Sequence, residues 1–436
     1  MNPIAEQLNE ILKKENPYIF EMLSNIGKNL FFPKGILAQS AEAKQKAHKI
    51  NATIGIATEK GRTMHLPSIM GYINDIKPED SLTYAPSFGI PALRKAWQES
   101  IYTKNPSISG TNISLPVVTC GITHGIATLA DLWVDPSDAI ILPDMMWGNY
   151  NMIFNVRKGA TITNYQLFDD KGGINISAFE KKLREEASKK NKIIVLLNFP
   201  HNPSGYTASK NEAKEISNIL IDIAEKGTNV IVICDDSYFG LFYEEETFKE
   251  SIFSLICGKS DRLLAIKLDG ATKENFAWGL RVGFITYGCK FKSDYGASYD
   301  ALERKTAGCI RGTISNASHL SQSIVLKSIQ NKNYLSEKGE KSEILSKRAH
   351  LVKSTLLNAK YKDVWEAYPF NSGYFMCIKL KVNIDAEKLR VHLLDKYGVG
   401  LISFGKDNLR VAFSSVEEED IPVLFDIILQ GINDLT

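Results

Sequence analysis

A chain of 436 residues is long enough to bury a substantial core and to divide into two or three domains. Its 52 basic and 50 acidic residues leave a net charge of only +2, which argues against the strong basic excess of a nucleic-acid-binding surface. No apolar stretch approaches membrane-spanning length, and six scattered cysteines without a C-x-x-C pair read as buried, reduced thiols rather than a disulfide framework or zinc site.

The N-terminal stretch MNPIAEQLNEILKKENPYIF carries charges throughout and lacks the apolar h-region of a secretory signal, so the cytoplasm is the expected compartment. The first fifty residues read as largely helical. From residue 117 onward, short apolar runs alternate with helix-like segments. The runs are VVTCG (117–121), AIILPD (139–144), IIVLLN (193–198), VIVICD (230–235), RLLAIKLD (262–269) and VGFITY (282–287). Each is brief, rich in β-branched residues and closed by a polar or turn residue, as for strands buried on both faces. ITHGIATLADLWV and ASKNEAKEISNILIDIAEKG supply intervening helices, the second with Gly227 as its stop. The mixed-sign EKKLREEASKKNK (180–192) reads as a solvated helix face. Strand and helix in repetition imply an α/β domain with a mostly parallel sheet.

After about residue 317 the texture changes to charged helical periodicity, followed by the strand-like YFMCIKL (374–380), the helix-like NIDAEKLRVHLLDKYG and the strand-like NLRVAFS (408–414). A second, smaller α+β domain is expected from residues 319–436, with residues 1–60 packing on it and 61–318 forming the large domain.

Ligands of open α/β sheets bind beyond the carboxyl ends of the strands. Those ends collect Gly121, Ile122, Thr123, Trp147, Asn202, Asp235, Tyr238, Lys273 and Arg281. A lone lysine after a strand is ordinarily a solvated cap. Lys273 instead lies among small residues in DGATKENFAWGLRVGF (269–284), eight positions before an arginine flanked by glycines. Gly121-Ile122-Thr123 would open a helix, whose free N–H groups favour a phosphate. A guanidinium such as that of Arg281 binds phosphate oxygens bidentately and keeps its charge.

The wording and order of these phrases resemble the class I/II aminotransferases, pyridoxal-phosphate (PLP) enzymes of fold type I. The matching phrases are YAPSFGIPALR (84–94), VVTCGITHGIATLADLWVDPSDAIILPD (117–144), WGNY (147–150), NFPHNPSGYT (198–207), CDDSYFG (234–240), the Lys273 stretch and NLRVAF (408–413). The resemblance implies a large PLP-binding domain and a smaller α+β domain. It implies that Lys273 bonds the cofactor aldehyde and then moves protons, that Asp235 partners the pyridinium nitrogen, and that Tyr238 and Asn202 bond the phenolic oxygen. Trp147 would stack on the ring or line the pocket, Arg281 and residues 121–123 would hold the phosphate, and Tyr84 would reach a neighbouring subunit's phosphate across a homodimer interface. Arg410 would bind the substrate carboxylate, with Gly55 approaching from the N-terminal segment. Asp236, beside Asp235, is the competing carboxylate, and the D-x-x-Y spacing to Tyr238 favours Asp235.

Gly270 stands where the family usually has a serine, and Phe276 where it usually has a smaller residue. Arg311, in CIRGTISN (309–316), is open to two roles: binding the distal carboxylate of an acidic substrate, or an interface or phosphate-side contact. The expected activity is transfer of an amino group from an L-amino acid to a 2-oxo acid by a ping-pong route. Another reaction of the same fold, as a lyase, decarboxylase or synthase, is the alternative. No metal, nucleic acid or membrane partner is expected.

Overall fold

The computed structural model describes residues 2–31 and 35–436; Met1 and residues 32–34 of the expected N-terminal segment lie outside the described residues. Seven strands build the larger sheet: β1 (Val117–Cys120), β2 (Ala139–Pro143), β3 (Thr161–Tyr165), β4 (Lys192–Asn198), β5 (Asn229–Asp235), β6 (Leu263–Gly270) and β7 (Val282–Gly288). Their order is β1-β7-β6-β5-β4-β2-β3. β2 to β6 run parallel, and β7 runs antiparallel to both of its neighbours.

The continuous apolar runs follow from cover on both faces. On β4, Ile193, Val195 and Leu197 pack to one side with Phe179, Ile216 and Leu220, from the helices α3 (Ile176–Lys189) and α4 (Lys210–Glu225). Ile194 and Leu196 pack to the other side with Ile126 and Leu129 of α2 (Gly121–Trp133). β3 has no counterpart among the apolar runs of the sequence. It is the sheet edge, and TITNY alternates polar residues along a half-covered strand, which gives it no continuous apolar signal.

A second sheet of four antiparallel strands has the order β8-β9-β11-β10, from β8 (Trp365–Ala367), β9 (Met376–Leu380), β10 (Ile402–Phe404) and β11 (Asn408–Val411). Leu345 and Val352 of α7 (Tyr334–Leu356), Leu389 and Leu393 of α8 (Ala386–Tyr397), and Leu424 and Ile428 of α9 (Asp420–Asn433) cover it. Residues Ile50–Asn51 pair in parallel with Val399–Gly400, and the Ala412 N–H donates to the Ala52 carbonyl at 2.9 Å. These bonds bring the segment bearing Gly55 alongside the strand bearing Arg410.

Two further helices matter below: α1 (Pro91–Lys104) on the large sheet and α6 (His319–Gln330) between the two sheets, with Val325 packed on one core and Ile324 on the other. Cys234, Cys257, Cys289 and Cys377 are buried and free, as the scattered spacing implies. No helix among the described residues is long and apolar enough to cross a membrane.

The glycine that departs from the family pattern has a packing cause. Gly270 pairs with Gly283 across the β6–β7 seam, and a Cβ on Gly270 would lie 2.6 Å from the Val282 carbonyl oxygen and 3.0 Å from the Gly283 Cα. Its backbone is fully extended, so close approach and not conformation demands glycine. A Cβ on Gly283 would in turn meet the Gly121 carbonyl carbon at 2.7 Å. Three segments thus converge at a distance no side chain permits. Gly270→Ser is expected to push β6 and β7 apart and destabilise the fold by about 1–3 kcal/mol, measured by denaturant unfolding.

Candidate active site

The carboxyl ends of β4, β5 and β6 open into one cavity, lined by Ile122, Thr123, Trp147, Tyr150, Asn198, Asn202, Asp235, Ser237, Tyr238, Thr272, Lys273 and Arg281. Antiparallel β7 completes it, because Val282 pairs with Cys120 and so sets Arg281 beside the start of α2. The strand-end residues singled out in the sequence therefore share a wall or floor of the same space. Tyr150, Asn198, Ser237 and Thr272 were not assigned from sequence, although each lies within or beside a phrase that carries the family resemblance.

Lys273 reaches the cavity with its Nζ 4.7 Å from the centre of the Tyr238 ring. Burial brings its amine down to about 8; Asp235 opposes that shift and Arg281 adds to it. Roughly a tenth of this lysine is thus neutral at pH 7 and about half near pH 8, far more than for a solvated lysine, so an amine able to take a proton is populated.

Asp235 is buried, and its two carboxylate oxygens are held separately. Oδ2 accepts from the Tyr150 hydroxyl at 2.5 Å, and Oδ1 accepts from the Ser237 hydroxyl at 2.5 Å and the Ser237 N–H at 3.2 Å. Burial pushes its pKa above the usual carboxylate range, while the Ser237 and Tyr150 bonds and the Lys273 charge pull it back. Asn198 ties the neighbouring strand ends together: its amide donates to the Asp235 carbonyl, and its side-chain oxygen accepts from the Asn202 N–H, each at 2.8 Å. The competing carboxylate, Asp236, points away from the cavity into an ion pair with buried Lys267. Alternation along the chain end separates the two acids.

At the other end, Gly121 sits at φ +73°, and a Cβ there would fall 2.4 Å from Arg281 Nη2. This glycine leaves room for a guanidinium over the first turn of α2. The Thr272 hydroxyl is buried at the cavity wall with no hydrogen-bond partner. Arg281 itself adopts a left-handed backbone with φ +52°, as does Phe276 with the same value.

Arg410 is 3% exposed and stands beside the cavity. Its Nη1 donates to Asn202 Oδ1 at 3.2 Å and its Nη2 to the Thr53 carbonyl at 2.9 Å, while its Nε is buried without a partner. Phe375 lies under the guanidinium at 4.2 Å and also fills the space above Gly55, where a Cβ would be 3.2 Å from its ring. Tyr84 and Arg311 are outside the cavity. Tyr84 is 90% exposed, and Arg311, exposed at the end of α5 (Tyr295–Thr313), donates to Ser315 Oγ at 2.6 Å.

The segment carrying Lys273 is anchored from behind. Glu274, buried, pairs with Lys104 of α1 and, at 2.8 Å, with Lys338 of α7. Burial works against that carboxylate's charge, but the two lysines outweigh it and bring its pKa down to about 2.

Among solved structures, an aminotransferase from Anaerococcus prevotii DSM 20548 superposes with a TM-score of 0.82 at 24% identity, over 94% of this chain and 99% of that one. The fold is therefore that of an aminotransferase. The model of the family "Aminotransferase class I and II" matches residues 47–428, and the chain belongs to this PLP-dependent family. The chain is 26% identical over 266 residues to an aspartate aminotransferase of Bacillus sp. (strain YM-2), a stretch covering 61% of this chain and 63% of that protein. It is 27% identical over 208 residues to a probable N-acetyl-LL-diaminopimelate aminotransferase of Bacillus subtilis (strain 168), covering 48% of each. The matched stretches thus span from about half to under two thirds of these curated relatives.

In the protein freed of cofactor, Lys273 is expected to react with an amine-selective acylating reagent with a pH midpoint of about 8, read by peptide mapping. Asp235→Asn removes the charge that favours the ammonium form, so the midpoint should move to lower pH.

Proposed function

We propose that this protein is a PLP-dependent transaminase that moves an amino group from an L-amino acid to a 2-oxo acid. The observation that carries the reading is a lysine with its pKa near 8 in one cavity with a buried carboxylate at one end and an arginine over a helix start at the other. The residues present fit the cofactor. The space left by Gly121, the unpartnered Thr272 hydroxyl, Arg281 and the first N–H groups of α2 form a cradle for a phosphate dianion. Asp235 is set to pair with a cationic ring nitrogen, and Tyr238 and Asn202 to bond a phenolic oxygen, with Trp147 against the ring.

When bound, PLP supplies an aldehyde that bonds amines and a ring that withdraws electrons from the substrate Cα. The chain's own part is binding and proton transfer. Arg410 binds the substrate carboxylate; its guanidinium already bonds Asn202, so substrate and ring contacts are set from one point. Gly55 leaves that approach open below Phe375. Lys273 Nζ, once free, would take the proton from the substrate Cα and deliver it to the carbon that came from the cofactor aldehyde before the 2-oxo acid leaves; with the second substrate it would carry a proton in the opposite direction, a ping-pong sequence.

Two domains divide the work in this reading: residues 61–318 hold the cofactor, and 319–436 together with 1–60 bring Arg410 and Gly55 to the substrate. The working unit is a homodimer in the cytoplasm. Leu82, Tyr84 and Ile314 are 84%, 90% and 39% exposed, and the segments that bear them are tied together by the Ser87–Ser315 hydrogen bond of 2.7 Å. An apolar face of this kind supports burial against a second copy. Tyr84 then serves the partner's phosphate, and Arg311 a distal substrate carboxylate.

Purified protein should be yellow with PLP. Incubation with successive single amino acids should convert the bound cofactor to its amine form with release of the matching 2-oxo acid. Release of ammonia instead would assign a lyase, and a protein that takes up no PLP would remove the proposal altogether. Arg410→Ala should raise KM for the amino donor on the order of a hundredfold, with cofactor binding retained. Arg311→Ala should slow aspartate and glutamate more than neutral donors; equal slowing would exclude the distal-carboxylate role. Sedimentation should give twice the 48.6 kDa chain mass, and Ile314→Glu should shift it toward monomer.

A further inference from the structure

Tyr150 was part of the quoted phrase WGNY, yet nothing in the proposed reaction so far uses it. Its ring is 1% exposed, and its hydroxyl meets Asp235 Oδ2 at 2.5 Å. The chain directly after it, Asn151–Val156, winds as a π-helix. Such turns are rare, carry a strain, and concentrate at functional sites. Trp147 and Tyr150, just before it, both face the cavity with rings edge-on at 5.3 Å, while Ile153 and Phe154 within it enter the core.

The carboxylate's acceptor capacity locates the effect. An ionised carboxylate offers about four lone-pair sites. Ser237 fills both on Oδ1, and Tyr150 fills one on Oδ2. The single site left is on Oδ2, the oxygen that Tyr150 holds. We propose that Tyr150 is a positioning residue for Asp235, aiming the free lone pair of Oδ2 into the cavity and keeping the carboxylate an anion for a cationic ring nitrogen. A hydroxyl that donates to the charged form favours that form against burial. The inference rests on the transaminase reading for the identity of the ring.

The charged and titratable groups facing Asp235 are Lys273, Tyr238 and Tyr150 itself. Tyr150→Phe keeps Lys273 and Tyr238 in place and removes only the hydroxyl, so a comparison with wild type isolates it. The measurement is the affinity of the cofactor-free protein for PLP as a function of pH, by equilibrium dialysis, alongside the unfolding midpoint. Tyr150→Phe should bind PLP roughly 10- to 100-fold more weakly. The acid limb of its binding profile should move to higher pH, because Asp235 then protonates more readily. A merely structural role would lower the unfolding midpoint and leave the acid limb in place, and that result overturns the inference. Should the Phe variant not fold, 3-fluorotyrosine at position 150 decides: its more acidic hydroxyl donates more strongly and should move the acid limb to lower pH, and an unmoved limb overturns the inference. Wild-type protein that binds no PLP would instead remove the transaminase reading, an outcome separate from both.

Discussion

An ammonium ion cannot stay deep in a protein without carboxylates against it, and this chain buries one directly behind its cavity. Lys267 is 1% exposed and lies between Asp236 and Asp269, which override the effect of burial and keep it charged. Trp97 donates to Asp269 at 3.0 Å, and Lys104 lies over the Trp97 ring on its way to Glu274. The three acids of this array each adjoin a segment that faces the cavity. Asp236 follows Asp235, Asp269 precedes Gly270 and the turn to Thr272, and Glu274 follows Lys273. The floor is thereby pinned at three points by charges that face the opposite way. Removing one partner of a buried pair costs about 3–5 kcal/mol, so the backbone under the reactive groups has little freedom to drift.

The same economy governs the junction of the two sheets. The loop after β4 packs so tightly on the approach to β9 that a Cβ on Gly205 would overlap the Phe375 carbonyl oxygen at 1.8 Å. Thr207 and Asn371 exchange two 2.8 Å hydrogen bonds, and the Gly373 N–H donates to the Leu241 carbonyl at 2.9 Å. Arg410 therefore meets Asn202 across a stitched seam, not across open solvent. In the proposed reading, the groups for the substrate carboxylate and for the ring would be set by that one contact.

Much of this was legible in the chain itself. Strands covered on both faces announce themselves as unbroken apolar runs, and the residues closing those runs meet in the cavity because a parallel sheet brings its carboxyl ends together. β3 was illegible because it is only partly covered and so carries no unbroken run, whereas β1, at the opposite edge, is buried. Tyr150 was illegible for a different reason: its partner, Asp235, lies 85 residues away on a strand end, and no periodicity around WGNY reveals that contact. Thr272 and Ser237 carry no periodic signal; they matter only through what stands opposite them. Gly270 read only as a departure from the serine usual in the family, and only the distance to Val282 shows that the seam has no space for a side chain there. Asp235 and Asp236 were told apart by the resemblance, through the family's D-x-x-Y pattern, and Lys267 supplies the physical reason for their opposite directions.

The three-glycine convergence has a consequence for how the chain is made. β1 and β7 are neighbours in space but lie far apart along the chain, with the whole parallel part of the sheet between them. During synthesis, the seam that joins Gly121, Gly270 and Gly283 cannot close until β7 has emerged, and pairings this distant in sequence are slow to form. A dianion bridging Arg281 and the start of α2 would clamp both sides of that late seam. Occupancy of the cofactor site and stability of the last part of the sheet to close would then be linked.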